Sequence, residues 1–426
     1  MRTYEKYKDS GISWIGKVPE DWEVTRGKYC FSVLYGFPFD SHLFYPSLEK
    51  GMPLLRIRDI TSGNLATGYL GKYDEEYVIK SGDLLVGMDG DFNVRWWNGR
   101  NALLNQRCCK IMALKEMHLK YIFYALPFEL KVINDLAYST TVKHLLNPDI
   151  ANLCLPQPSY KEQEAIANYL DKKTAEIDKI IAEREKKIEL LIELKSSIIS
   201  RAVTKGINPH AKMKDSGIDW FPIIPCDWEY SSLRHVCKKI TDGSHFSPMS
   251  QLEGRPYITV TNIRNNKVYV DEALKISDED FKTLVATGCQ PLPGDVLLSK
   301  DGTVGRTAIV TSNDYVVLSS LGILRPSSLI DSKYLEYCLN SNALQMQMQM
   351  MMDGSALRRI TIKKICNLLV LIPPMHEQLS IVKYLDEKTV EVSDSISTIR
   401  KECELYKEYK QSLISEVVTG KRKVID

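Results

Sequence analysis

The sequence predicts a duplicated protein in which two globular bodies alternate with two long helices. Three observations support this prediction: a Trp-rich segment occurs twice, a second segment farther along occurs twice, and two long polar stretches carry apolar residues at heptad spacing. The chain has 426 residues, more than the ~100–200 residues of one typical domain. Hydrophobic residues make up 44% of it and charged residues 26%, which indicates a folded protein.

The first repeat is a lead segment that precedes each body. Residues 6–23 match residues 212–229, and both contain Asp-Ser-Gly-Ile and Pro-x-Asp-Trp-Glu. The second repeat begins at Ser139 and continues into a long helix pattern. The two repeats divide the chain into a first lead and body at 1–155, a central helix at 156–208, a second lead and body at 209–372, and a C-terminal helix at 373–426.

The bodies share landmarks that predict a common fold. Residues 81–85 and 293–297 each combine a turn with an apolar run that is typical of a strand. Residues 54–60 and 257–263 show the alternation of a half-buried strand. One fold with different surfaces is the pattern expected of a scaffold that is used twice to recognise two different targets.

The long helices carry an apolar seam that predicts a coiled coil. Leu170, Ile177, Leu191 and Ile198 lie one or two heptads apart, and the second helix has an equivalent series. About 40 residues at 1.5 Å each form a rod of roughly 60 Å, and two antiparallel rods would hold the bodies at opposite ends. The alternative is that each helix packs only on its own body.

Further apolar residues widen the stripe of the first helix beyond what one partner helix covers. We therefore expect another protein to dock on this helix. The candidate docking residues are Ile180, Ile192 and Ile199.

The search for catalytic motifs indicates no enzyme in this chain. Residues 302–307 resemble a phosphate-binding loop, but their spacing differs and Arg306 stands where Lys is required, which favours a turn beside a strand. The ten Cys form no Cys-x-x-Cys, so no structural zinc is expected. The remaining His, Ser and Asn residues match no hydrolase, metalloprotease or adenine methyltransferase motif.

Two similar segments are candidates for contacts with a polyanion. Residues 354–364 carry four basic residues and no acidic one, and residues 139–145 are their counterpart. Small hydroxyl residues followed by a basic pair suit phosphate contacts. The candidates are Thr140, Thr141, Lys143, His144, Ser355, Arg358 and Arg359. A solvated basic turn beside the helix is the alternative.

Other polar and aromatic side chains could read base edges. In the first body, residues 95–100 combine Arg and Asn donors with tandem Trp, although tandem Trp more often belong to a core. In the second body, polar loops follow apolar strands, as ordinary exposed turns also do. These candidates are Arg56, Arg58, Arg95, Trp96, Arg100, Thr241, Asp242, His245, Lys300 and Thr303.

Taken together, the motifs resemble the specificity subunit of type I restriction-modification systems over the whole chain. The matching segments are 7–11, Trp14 and 19–22 in the lead, the loops 88–93 and 240–245, Asn105-Gln106-Arg107, the segment 298–305, and the helix entries 158–163 and 373–378.

The resemblance implies two target recognition domains of the α/β (α+β) class in a pseudo-twofold arrangement, separated by an antiparallel two-helix coiled coil. Each domain is expected to read one half of a bipartite target in double-stranded DNA, while the coiled coil sets the gap and docks the modification subunits. The resemblance implies no catalysis in this chain. It implies two modification (methyltransferase) subunits that use S-adenosylmethionine, and restriction subunits that use ATP and Mg as translocase and nuclease.

One rival function remains open, because the formal net charge is only +2 and a DNA-binding protein is usually more basic. A coiled-coil scaffold with two protein- or carbohydrate-binding bodies would also fit this charge. The N-terminus has no apolar secretory signal, and the longest apolar stretch, residues 365–375, is shorter than the ~20 residues of a membrane helix. We therefore expect a cytoplasmic protein with reduced thiols.

Overall fold

The computed structural model describes residues 3–136, 143–354 and 358–424. The chain forms two compact units: Met1–Glu183 with Lys401–Asp426, and Arg184–Arg400. Each unit therefore contains one body, the beginning of one long helix and the end of the other. None of the helices in the described part of the chain is long and apolar enough to cross a membrane.

The first unit is built on two main sheets. A four-stranded antiparallel sheet has the order Val94–Trp96, Leu84–Gly87, Cys108–Ala113 and Phe31–Tyr35. A five-stranded mixed sheet has the order Phe44–Tyr45, Gly68–Tyr69, Met52–Leu55, Ala102–Leu104 and Val78–Ile79. Two strand pairs complete the unit: Tyr7–Asp9 with Lys17–Pro19, and Glu23–Arg26 with Cys154–Gln157. Its shorter helices are Gly27–Cys30, Ile57–Ser62, Leu119–Leu136 and Asn147–Asn152.

The second unit repeats this plan. Its four-stranded antiparallel sheet has the order Cys237–Asp242, Leu321–Pro326, Val296–Ser299 and Thr307–Ile309. A three-stranded sheet has the order Leu274–Ile276, Arg255–Ile258 and Val316–Val317. Three strand pairs are Met213–Asp215 with Ile223–Pro225, Glu229–Ser232 with Leu369–Ile372, and Ile263–Arg264 with Lys267–Val268. Its shorter helices are Leu233–Val236, Asp278–Ala286, Ser332–Leu339, Asn342–Met351 and Ile362–Ile365.

The strands predicted at 54–60 and 257–263 are correct only in their first halves. The strand Met52–Leu55 is followed by the helix Ile57–Ser62, and the strand Arg255–Ile258 by the 3₁₀ turn Val260–Asn262. In each body a polar side chain accepts the backbone N–H three residues earlier: Asp59 from Arg56 and Asn262 from Thr259, both at 2.9 Å. This local capping favours a helical turn over a longer strand.

The two long helices are Tyr160–Lys205 and Met375–Val418. In the first unit, Lys410 Nζ lies 2.6 Å from Asp178 Oδ2, and Ile177 shares an apolar core with Leu413. In the second unit, Lys195 Nζ donates to Ser393 Oγ at 2.8 Å. This contact gives a hydrogen-bond partner to a partly buried lysine, and burial lowers the pKa of its ammonium group.

A buried tyrosine in each unit shows that the helix segments run antiparallel. Tyr121 Oη lies 2.8 Å from the carbonyl oxygen of Pro156, just before the first helix begins, and 3.2 Å from that of Val418, where the second helix ends. Tyr334 Oη lies 3.3 Å from the carbonyl oxygen of Leu371 and 3.4 Å from that of Val203. The beginning of one helix therefore lies beside the end of the other in both units.

The repeated Trp, Glu and Gln residues form hydrogen bonds inside each unit. Trp22 Nε1 donates to Glu162 at 3.1 Å, and Trp228 Nε1 donates to Glu377 at 2.9 Å. Each glutamate is followed by a fully buried glutamine whose amide bonds the carbonyl oxygen of Pro158 or Pro373. The Trp–Glu hydrogen bonds attach each lead segment to the first turn of the long helix that follows its body, and the Gln–Pro bonds stabilise that turn.

Candidate DNA interface

A glycine after the edge strand of each four-stranded sheet starts the loop at the candidate interface. The N–H of Gly36 donates to Cys108 O at 2.9 Å, and that of Gly243 donates to Leu321 O at 3.1 Å. A Cβ atom at Gly36 would lie 2.0 Å from the carbonyl oxygen of Asn105, and one at Gly243 would lie 2.0 Å from that of Val317. Only glycine permits this close approach of two backbones.

In the second unit, five of the predicted residues surround one cavity of about 720 Å³: Thr241, Asp242, His245, Lys300 and Arg359. The Lys300 side chain is 10% exposed, and its ammonium lies 3.0 Å from Asp301 Oδ2 and 3.5 Å from Asp242 Oδ2. His245 Nε2 lies 3.2 Å from the same Asp242 oxygen. The carboxylates hold these two side chains in place, and Coulomb attraction offsets the cost of burying the lysine.

The basic segment of the second unit, residues 354–364, is hydrogen-bonded to the turn that follows the central strand Val296–Ser299. Gly302 N–H donates to Arg358 O at 2.9 Å, and Ile360 N–H donates to Lys300 O at 2.8 Å. Both Arg358 and Arg359 are exposed, and neither guanidinium has a hydrogen bond or ion pair with another described residue. Two adjacent cationic groups thus lack a partner among the described residues, and one of them, Arg359, lines the cavity.

The first unit has the same connection between its turn and its basic segment. Gly90 N–H donates to Lys143 O at 3.0 Å, and Leu145 N–H donates to Met88 O at 2.7 Å. The His144 ring lies 2.5 Å from Asp89 Oδ1 and 3.2 Å from Arg107 Nη1. An imidazole between a carboxylate and a guanidinium offers hydrogen-bonding groups of both kinds, which suits the reading of base edges.

Several predicted residues of the first unit have other partners. Arg95 donates to the carbonyl oxygens of Ile60 and Thr61 at 2.9 and 3.0 Å, so it completes the end of a helix. Lys143 Nζ donates to Asn134 at 2.6 Å. These contacts hold both side chains against their own body.

The remaining candidates of the first unit are distributed over its surface. Trp96 lies under the ammonium of Lys120, at 5.2 Å from the ring centre, and beside Phe123. Its neighbour Trp97 is buried and donates to Arg100 O at 3.0 Å, while Arg100 itself is exposed. Arg56 lies 6.0 Å from the Phe44 ring centre, and Arg58 pairs with Asp59 at 3.7 Å.

Three predicted residues, Thr140, Thr141 and Ser355, lie outside the described residues. Thr303 is exposed in the turn between the strands Val296–Ser299 and Thr307–Ile309, where Ser299 Oγ donates to its carbonyl oxygen at 2.5 Å. A turn between antiparallel strands leads into no helix, so residues 302–307 cannot act as a phosphate-binding loop. The prediction of a turn beside a strand at this position is correct.

Two residues of this interface, Asp89 and Arg107, are absent from the sequence-based candidates. Arg107 has φ +71°, a rare backbone conformation for a residue other than glycine and one that is frequent at functional sites. A signal for Asp89 was present, because an Asp-Gly pair follows an apolar strand at the same position of both bodies.

Of the three candidate docking residues, Ile192 is half-exposed, Ile180 is partly buried and Ile199 is buried. The prediction for Ile199 is wrong, because its side chain packs in the apolar core of its own unit with Ile381 and Leu385. Leu190 and Leu194 are exposed as well and share one helix face, while Ile192 lies on a different face.

The described part of the chain contains no group of three or more His, Cys, Asp or Glu side chains that could hold a metal ion. The interface provides hydrogen-bonding and cationic groups, which suit recognition of a polyanion.

The comparisons with known proteins agree on one family. A family model described as the type I restriction modification DNA specificity domain matches residues 19–190 and 225–404. The specificity subunit of the type I restriction enzyme EcoBI from Escherichia coli is 30% identical over 395 residues, covering 90% of this chain and 83% of that protein. The MjaVIII specificity subunit from Methanocaldococcus jannaschii is 25% identical, covering 96% and 94%.

A solved structure gives the same fold. It belongs to a study of complex assembly and conformational transition of the type I R-M system, and it matches with a TM-score of 0.69 and 19% identity. The match covers 94% of this chain and 98% of that chain. The two matched regions each contain one of the bodies described above, so this chain belongs to the family of type I restriction-modification DNA specificity subunits.

Proposed function

We propose that each body reads one half of a bipartite target in double-stranded DNA. The observation that carries this proposal is the repeated connection between an Asp-Gly turn and a basic segment. Gly90 pairs with Lys143 and Gly302 pairs with Arg358, while the side chains around them differ between the bodies. A shared backbone frame with different polar groups suits two domains that read different bases.

We further propose that the chain has no catalytic activity and works with partner subunits. Two modification subunits would methylate adenine with S-adenosylmethionine, and restriction subunits would use ATP and Mg for translocation and cleavage. The exposed side chains of Leu190 and Leu194 on one face of the first long helix, and of Ile192 on another, support docking of a protein partner there. Within this proposal the complex acts in the cytoplasm, and all three cofactors belong to the partners.

The two long helices would set the gap between the half sites. Their antiparallel segments occur in both units, and a helix has a fixed rise per residue. The rival function, a scaffold with protein- or carbohydrate-binding bodies, is not favoured, because the chain belongs to a family of DNA specificity subunits.

A methylation-aware sequencing map would test the proposal. DNA is compared from cells with and without this gene, with the modification and restriction genes present in both. We expect loss of adenine methylation at one two-part motif with a fixed internal gap. Unchanged methylation, together with no DNA binding by the purified complex, would contradict the proposal.

The two half sites can be assigned to the two bodies with matched variants. Replacing His144 with Ala changes the first body, and replacing Arg359 with Ala changes the equivalent position of the second. Each variant is expected to weaken methylation through its own half site. An exposed lysine on a helix of the second body, Lys282, provides a control when replaced with Ala.

A further inference from the structure

A loop of the second unit exposes three large apolar side chains. The loop connects the strands Cys237–Asp242 and Arg255–Ile258. Phe246 is 61% exposed, Met249 is 85% exposed and Leu252 is 101% exposed. Three large apolar side chains that are each more than half exposed in one loop indicate a contact surface, since burying them would stabilise the fold.

The backbone of this loop is anchored near both of its ends. Ser244 Oγ accepts the N–H of Phe246 at 3.0 Å, and Tyr257 Oη donates to Phe246 O at 3.2 Å. Burial raises the pKa of Tyr257 to about 12, so the hydroxyl stays protonated and remains a donor. Farther along, Gln251 N–H donates to Lys275 O at 2.8 Å. The apolar side chains therefore project from an anchored loop.

In the first unit, the aromatic side chains of the equivalent loop pack differently. After Gly36, the aromatic ring of Phe39 turns inward, where it is buried and lies 4.8 Å from the ring of Tyr69. Its neighbour Phe37 contacts both Phe39 and Tyr77, at 5.1 and 5.2 Å between ring centres. The first body thus buries Phe39 and leaves Phe37 41% exposed in contact with two other rings. The three apolar side chains of the second loop are more exposed than either.

The position of the exposed loop points to DNA as its occupant. The loop follows directly from Thr241 and Asp242, and its own His245 lines the cavity that Lys300 and Arg359 also line. Cationic groups that have no partner among the described residues, beside apolar side chains, fit a phosphate backbone next to a base stack. A purely apolar protein partner would leave Arg358 and Arg359 without anionic partners.

We propose that Phe246, Met249 and Leu252 form an apolar wedge that enters the duplex at one base step of the second half site and partly unstacks it. This inference rests on the proposed function, since it assumes that the second body reads DNA. Wedges of Phe, Leu or Met are known to unstack a step at a cost of a few kcal/mol, which the bent duplex offsets through additional contacts. The wedge would add discrimination through the deformability of that step, without a hydrogen bond to either base.

The test uses the full-length chain in complex with its modification subunits and a duplex that carries the methylated motif. 2-Aminopurine, whose fluorescence rises when it unstacks, is placed in turn at each position of the second half site. Anisotropy of a terminal dye measures binding of the same duplexes. The triple variant Phe246→Ala, Met249→Ala and Leu252→Ala is compared with the wild type and with Leu329→Ala, which removes an exposed leucine elsewhere in the same unit.

We expect the wild type and Leu329→Ala to raise the fluorescence at one or two adjacent positions, and the triple variant to lose this rise while binding about tenfold more weakly. Because all three substituted side chains are exposed, the triple variant should keep the melting temperature of the wild type. Binding without any rise in wild-type fluorescence, or a rise that survives in the triple variant, would refute the wedge and leave the proposed function intact. Absence of DNA binding by the wild-type complex would refute both.

Discussion

If the long helices set the gap between the half sites, a matched insertion in both of them should lengthen it. The contact between Lys195 and Ser393 defines the antiparallel register of the two helix segments in the second unit. In this register an insertion between residues 188 and 189 lies opposite one between residues 399 and 400. Both sites belong to the second unit and lie in uninterrupted helix.

Four residues inserted at each site add about 6 Å along the helix axis. One base pair occupies about 3.4 Å of the duplex, so this rise limits the change to two base pairs. Four residues also rotate the helix by about 40° beyond a full turn, which is close to the twist of about 35° for one base pair. We therefore expect the gap to grow by one base pair, or by two at most, with both half sequences unchanged.

The methylation map described above is the assay, because it reports the two half sequences and the gap together. An insertion of four residues locally unwinds a coiled coil, but the same insertion in both strands keeps the pairing beyond it. The control places the four residues in one helix only, which offsets the register and should abolish methylation. If the double insertion left the gap unchanged with both half sequences intact, the helices would not measure the gap.

Three further predictions follow from the geometry of the bodies. Gly243→Ala should abolish reading of the second half site and Gly36→Ala that of the first, because each new Cβ would lie 2.0 Å from a carbonyl oxygen. The control is Gly322→Ala, whose Cβ would make only ordinary contacts of at least 3.6 Å, and it should leave the methylation map unchanged. The double variant Arg358→Ala with Arg359→Ala should weaken binding to all duplexes and reduce the salt dependence of the binding constant by about one phosphate contact per residue. Anisotropy at several salt concentrations measures both effects. An effect at a single base pair would instead make these arginines base readers. A thiol reagent at pH 8 should modify the exposed Cys226 quickly and reach Cys30, Cys108 and Cys237 only after unfolding. Burial raises the pKa of these three thiols to about 11, 12 and 12, so the reactive thiolate is only a small fraction of each at pH 8. Rapid reaction of four thiols in the native protein would contradict this.

The sequence predicted the repeats and the long helices because their signals are local or periodic. Heptad spacing requires only that one helix face be buried, and Ile177 and Leu385 are indeed buried. The strand predicted at 54–60 was wrong in its second half, because Asp59 caps a helical turn that alternation alone does not reveal. Gly63, at φ +74°, ends this helical turn. Local capping outweighed the pattern of hydrophobic residues.

The candidate interface was harder to predict because its geometry depends on distant partners. Arg95 could be recognised as a structural cation only once its contact with Ile60, 35 residues earlier, was known. In the same way, the role of Gly302 depends on Arg358, which is 56 residues later in the chain. A sequence shows which donors and cations are present, but the fold decides which of them remain free to meet DNA.

The residues that recur in both halves and the residues that line the interface are largely different sets. Recurring Trp22 and Trp228 bind Glu162 and Glu377 inside the units, where one geometry serves both copies. At the interface the Asp-Gly frame and the glycine after the edge strand recur, but His144 stands where the second body has Arg359. An imidazole held by Asp89 and a free guanidinium offer different donors to a base edge, so the same frame suits different half sites. The duplication therefore repeats what positions the interface and varies what reads the DNA.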